Sequence, residues 1–179
     1  FILSGQERLH VKTDSHFFLQ GSCFAENLYK SLQKKGLSAY YNQMIEAVNS
    51  PIANLIYFKH LITQPDSEAL KELKRADFFV FTVGVAPIWI ERTTGNFVFQ
   101  IDVRNMDRYA QVTTPVSDVI TQLKHIFDVI YQINPSITIL ITLSPVALNS
   151  TFEFSSAIVA DCISKSVLRT GIHEALRSY

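Results

Sequence analysis

Two short, unbroken apolar runs constrain this chain most. Residues 77–83 read DFFVFTV and residues 137–143 read ITILITL. Each is too short for a buried helix, rich in aromatic and β-branched side chains, and closed by turn residues, Gly84 in one case and Ser144-Pro145 in the other. A strand with one wet face alternates apolar and polar residues. A run without alternation suits a strand covered on both faces, as in a parallel sheet with helices above and below it. A third stretch, HFFLQ at residues 16–20, runs into Gly21-Ser22-Cys23 and is expected to be another strand, with residues 37–41 a further one.

Helical spacing fills the intervals. Residues 25–35 place Leu28 and Leu32 four apart and close on Lys34-Lys35-Gly36, the cations and glycine that a helix C-terminus favours. Residues 51–62 open on Pro51, residues 65–75 on Pro65-Asp66-Ser67. Residues 115–133 carry Val119, Leu123, Ile126, Phe127 and Ile130 on one face and stop at Asn134-Pro135. Residues 157–176 are again helical, with Gly171 as the weak point. Residues 88–91 and 96–100 flank Thr93-Thr94-Gly95, a hairpin outside the main sheet, and the polar residues 102–114 are expected to be loop. Alternating strands and helices of these lengths predict a three-layer α/β/α fold with a mostly parallel, flavodoxin-like sheet, formed by one domain over residues 1–179.

Charge and composition narrow the partners. Lys plus Arg equals Asp plus Glu at 16 each, so no net field draws nucleic acid, and no apolar run approaches the roughly 20 residues that span a bilayer. Cys23 and Cys162, the only two cysteines, have no metal-type spacing and are expected to be free thiols, as in a reducing, cytoplasmic setting. No Gly-x-Gly-x-x-Gly, P-loop or ligand cluster occurs, so no metal or cofactor is expected. The chain opens on Phe1 rather than Met and ends on Tyr179 directly after a helical pattern, and both ends are expected to be cuts in a longer chain.

In a parallel sheet, ligands bind outside the carboxyl ends of the strands, here Gly21-Ser22-Cys23, Gly84 and Ser144-Pro145. The first of these delivers a hydroxyl and a thiol to a helix N-terminus, where the dipole and free amides favour an anion. Ser22 there is either an N-cap or a nucleophile, and Cys23 either a small buried residue or a nucleophile. Gly84 either brings an amide close to an oxyanion or merely permits a turn, and Asn49 either donates to that oxyanion or makes a turn bond. Trp89 is expected to pack. Ser164 and Lys165, being adjacent, point to different helix faces and are expected to form a solvated face rather than a pair. His10, His16, His60, His125 and His173 are expected at the surface or partly packed.

Gly21-Ser22-Cys23-Phe24-Ala25 spells the motif for which the GSCFA family is named, and Glu26-Asn27 continues it. The chain resembles that family in further blocks: Phe81-Thr82-Val83-Gly84 through Trp89, Thr142-Leu143-Ser144-Pro145-Val146, Ser164-Lys165 with Leu168-Arg169, and Asn49-Ser50-Pro51. The resemblance implies a hydrolase-like three-layer fold related to the SGNH/GDSL enzymes. It implies an esterase or acyltransferase acting on a small-molecule or carbohydrate ester, with Cys23 or Ser22 as nucleophile and with Gly21, Gly84, Asn49 and Ser144 at the oxyanion and substrate. Aligning Gly21 to the glycine of Gly-Asp-Ser puts Cys23 in the nucleophile's place, with Ser22 as its rival. The related enzymes' Asp-x-x-His pair would fall beyond Tyr179, and Ala147-Leu148-Asn149 stands where the family usually has histidine and arginine. A non-catalytic carbohydrate-binding or scaffold module on the same fold is the other class to test.

Overall fold

The computed structural model describes residues 10–179. In chain order the elements are β1 (His16–Gly21), α1 (Cys23–Lys34), β2 (Ser38–Gln43), a 3-10 turn (Glu46–Val48), α2 (Pro51–Leu61), α3 (Glu68–Arg75), β3 (Phe78–Val83), β4 (Pro87–Glu91), β5 (Phe97–Val98), a second 3-10 segment (Val103–Arg108), β6 (Tyr109–Thr113), α4 (Val116–Ile133), β7 (Thr138–Leu143) and α5 (Ala157–Arg177). The main sheet has the order β2-β1-β3-β7, and all of its pairings are parallel. The expected α/β architecture is the observed one.

Alternation along the inner strands divides their side chains between two layers. Phe17 and Leu19 of β1, with Phe78 and Val80 of β3, pack against Ala25 and Leu32 of α1. Phe18, Phe79, Phe81 and Val83 face the other way, into a larger core built with α2, α3, α4 and α5. The stripe predicted on residues 115–133 is the buried face of α4: Val119, Leu123, Ile126, Phe127 and Ile130 are all inside. Burying one such side chain is worth about 1.5–3 kcal/mol. That stripe therefore anchors α4, whose N-cap position, Pro115, offers no side-chain hydrogen bond.

Three local expectations are corrected. Residues 102–114 are not loop throughout, because Tyr109–Thr113 pairs antiparallel with β4 in a second sheet of order β5-β4-β6. β7 is not covered on both faces: it lies at the edge of the main sheet and is half-buried, with α1 packing over β1, β2 and β3 instead. Gly171 is not a weak point either, since α5 runs unbroken through it. A Cβ there would sit 2.3 Å from Val119 Cγ1, so the glycine lets α5 approach α4 closely.

Candidate active site at the carboxyl edge of the sheet

Parallel pairing carries β1, β3 and β7 to one edge. Thr82 pairs with Thr142 and Val83 with Leu143, and the Ser144 amide donates to the Val83 carbonyl at 2.8 Å. Gly21, with φ of +151°, passes so close to β3 that a Cβ would stand 2.8 Å from Thr82 Cβ. The turns bearing Ser22-Cys23, Gly84 and Ser144 therefore leave the sheet side by side.

Ser22 occupies the N-cap position of α1, yet its side chain makes no capping bond. The residue is only 5% exposed, and its Oγ is buried with no hydrogen-bond partner among the described residues. An N-cap role accounts for its position but not for its hydroxyl. A buried, unpaired hydroxyl costs about 1–3 kcal/mol, which asks for a partner that the described chain does not supply. Cys23, the first residue of α1, is exposed rather than buried, and Cys162 is exposed as well; both are free thiols. The amides of Cys23, Phe24 and Ala25 have no helical carbonyl behind them, while that of Glu26 already reaches Ser22 O at 3.1 Å. Tyr41 braces this turn, donating to the carbonyls of Gly21 and Ser22 at 3.2 and 3.3 Å. Burial first, then the nearby Glu26 and Cys23, push the Tyr41 pKa up, which keeps its hydroxyl protonated as a donor.

Asn49 is a cornerstone with its groups already committed. Its carbonyl accepts from the amides of Gly84 and Val85 at 2.8 and 3.1 Å, its Nδ2 donates to Thr82 O at 2.9 Å, and its Oδ1 accepts from Asn54 at 3.0 Å. Asn54 also accepts from Gln20 Nε2 at 2.9 Å, and Asn42 donates to Gln20 Oε1. The Gly84 amide expected to face an oxyanion is thus turned into the chain, and a Cβ on Gly84 would meet Asn49 Nδ2 at 3.2 Å and Glu46 Oε1 at 3.1 Å.

Ser144 is buried, and its hydroxyl donates to Glu46 Oε1 at 3.1 Å and accepts from the Val146 amide at 3.2 Å. The other carboxylate oxygen of Glu46 is buried without a hydrogen-bond partner among the described residues. Ser164 and Lys165 do not form a solvated face. The fully buried Ser164 accepts from the Ala86 amide at 3.0 Å, and Lys165 Nζ donates to Gly84 O at 2.7 Å. Although they are not a catalytic pair, the two successive residues of α5 hold successive parts of one turn. Burial lowers the Lys165 pKa, and Asp161 and Glu46 oppose the shift.

Sequence reasoning missed Glu46, Gln20 and Asn54. A glutamine closing HFFLQ and an asparagine inside PIANLI were visible signals; Glu46, in an irregular segment, had none. No histidine belongs to this edge: His16 begins β1 at the opposite edge, His60 lies on α2, His125 on α4 and His173 on α5, and His10 precedes the sheet. Trp89 packs on Phe152, with ring centroids 5.2 Å apart. Among the described residues, no three His, Cys, Asp or Glu side chains come together to hold a metal ion, and no helix is long and apolar enough to cross a membrane.

Residues 57–179 match the model of the GSCFA family. The chain belongs to the GSCFA family. The matched residues include Gly84, Ser144, Ser164 and Lys165, and with them the α5 clamp on the β3–β4 turn, whereas Gly21-Ser22-Cys23 lies upstream of the matched residues. No curated protein matches the chain.

Proposed function

We propose that this GSCFA protein is an SGNH-like hydrolase or acyltransferase acting on an ester or acyl substrate, acylated carbohydrates among them. The supporting observation is the strand-end turn at which an exposed thiol, Cys23, adjoins a buried hydroxyl, Ser22, that has no partner among the described residues, at the start of α1. Cys23 attacks the acyl carbon, a thioester forms as the alcohol leaves, and water or an acceptor hydroxyl then takes the acyl group. The unpaired amides at the start of α1 hold the oxyanion, since the Gly84 amide and the Asn49 carboxamide are engaged elsewhere. The general base is a group other than the five histidines of this chain, given where they sit.

The deciding experiment is an acyl-ester panel on the parent protein, Cys23→Ala and Ser22→Ala. Loss of turnover in Cys23→Ala with mere weakening in Ser22→Ala assigns the nucleophile to the thiol; the reverse assigns it to the hydroxyl. The engaged Gly84 amide favours a second reading, a carbohydrate-binding or scaffold module. Saturable sugar binding with no turnover by the parent would select it.

A further inference from the structure

At the amino edge of the sheet, away from the site above, a hydroxyl, an imidazole and a carboxylate stand together. His16 and Ser38 begin β1 and β2 and are partners in the parallel register. His16 Nδ1 and Ser38 Oγ are 2.7 Å apart, and His16 Nε2 lies 2.9 Å from Glu72 Oε2 on α3. The backbone of His16 is fixed by its amide, which donates to Asp77 Oδ2 at 2.8 Å, and the Glu72 carboxylate is held by Arg75 at 2.6 Å.

We propose that Ser38, His16 and Glu72 form a second nucleophilic centre, in which the Ser38 hydroxyl is acylated by small activated esters. The order of burial supports this. The imidazole and the carboxylate are 8% and 16% exposed, whereas Ser38 is exposed on the edge strand. The Glu72 carboxylate beside Nε2 favours the tautomer with its proton there, although Nε2 makes no aligned hydrogen bond among the described residues, and Nδ1 is then left to accept from Ser38, the arrangement by which an imidazole activates a serine. Burial, and secondarily Arg75, lower the His16 pKa against the pull of Glu72 and Asp77, so the ring is neutral and able to take a proton near pH 7.

In the reaction, Ser38 Oγ bonds to the acyl carbon while its proton passes to His16 Nδ1. Collapse breaks the ester C–O bond, and the departing alcohol takes that proton. Water then repeats the sequence, releasing the carboxylic acid and restoring the hydroxyl.

An alkyl fluorophosphonate tests this on the folded protein, since phosphorus bonds to the serine oxygen, fluoride leaves and the serine proton passes to the imidazole. Peptide mapping separates label on Ser38 from label on Ser22 or Cys23, so failure here is distinct from failure of the proposed active site. Ser38 is expected to be labelled, about 100-fold more slowly in His16→Gln, the lower range of general-base contributions, and more slowly in Glu72→Gln. Should His16→Gln not fold by circular dichroism, the parent's own pH profile serves: its rate should fall as pH drops below the usual histidine range. Glu72, Arg75 and Asp77 face the ring, and Glu68 and Tyr40 adjoin Glu72. The proposal is overturned if Ser38 stays unlabelled, reacts no faster than the exposed Ser31, or keeps a constant rate as pH falls through the usual histidine range and below it while the protein stays folded.

Discussion

The Lys165 ammonium donates to the Gly84 carbonyl at 2.7 Å, joining α5 to the end of β3 across 81 residues of sequence. Without it, that carbonyl and the turn that follows would have to find another partner. Lys165→Met is therefore expected to lower stability by about 1–2 kcal/mol, the cost of leaving one such polar group unpaired. The pH dependence separates charge from packing. Because burial lowers the folded pKa of Lys165 below its unfolded value of 10.5, the unfolded chain binds more protons between the two. The parent should gain stability as pH rises through that window, and Lys165→Met should lose this part of the rise. Urea midpoints at several alkaline pH values measure it, and parallel curves would remove Lys165 as the cause.

Gly171 and Val119 offer a packing test. An alanine Cβ would stand 2.3 Å from Val119 Cγ1, so α4 and α5 would have to move apart. Gly171→Ala should cost about 1–3 kcal/mol, as overpacking does, despite alanine's better helix propensity. Val119→Ala on the same chain should recover part of that loss. Denaturant midpoints of the two single variants and the double variant decide it: strict additivity would mean that the contact is not the cause.

Much of the fold was legible because its strong signals are local. The runs at residues 77–83 and 137–143 are both strands, and the apolar stripe of residues 115–133 is the buried face of α4. An apolar run does not reveal its neighbours, however, so the edge position of β7 was hidden. β6 was missed for another reason: YAQVT is half-buried throughout, and its composition resembles that of a loop. At the candidate site, the turn after β1 could be read because glycine, hydroxyl and thiol are consecutive. Glu46 could not, since it meets Ser144 across 98 residues, and the roles of Ser164 and Lys165 depend on how α5 docks.

The two free thiols differ in setting. Cys23 begins α1, beside amides that lack helical acceptors, whereas Cys162 lies within α5, where the amides are bonded along the helix. Both are exposed, so access does not separate them. Iodoacetamide near neutral pH should therefore modify Cys23 faster, because helix-terminal amides favour the attacking anion. Mass spectrometry of a time course reads both sites at once, and equal rates or a faster Cys162 would take away the physical argument for a thiol nucleophile.

The buried amide chain beneath the site carries the last prediction. Asn54 accepts from Gln20 at 2.9 Å and donates to Asn49 Oδ1 at 3.0 Å and to Ser50 O at 2.8 Å, and Asn49 in turn holds the amides of Gly84 and Val85. Asn54→Ala strips partners from several fully buried groups at once, and each unpaired group costs about 1–3 kcal/mol. Removing the α2 cap, by contrast, sacrifices one 3.4 Å bond from the Ala53 amide to Ser50 Oγ, worth about 0.5–2 kcal/mol. Asn54→Ala should thus destabilise the protein more than Ser50→Ala, and it should also speed hydrogen exchange at the Gly84 and Val85 amides, which Ser50→Ala should leave protected. Equal losses in the two variants, with Gly84 and Val85 still protected in Asn54→Ala, would show that the turn after β3 is held without the amide chain.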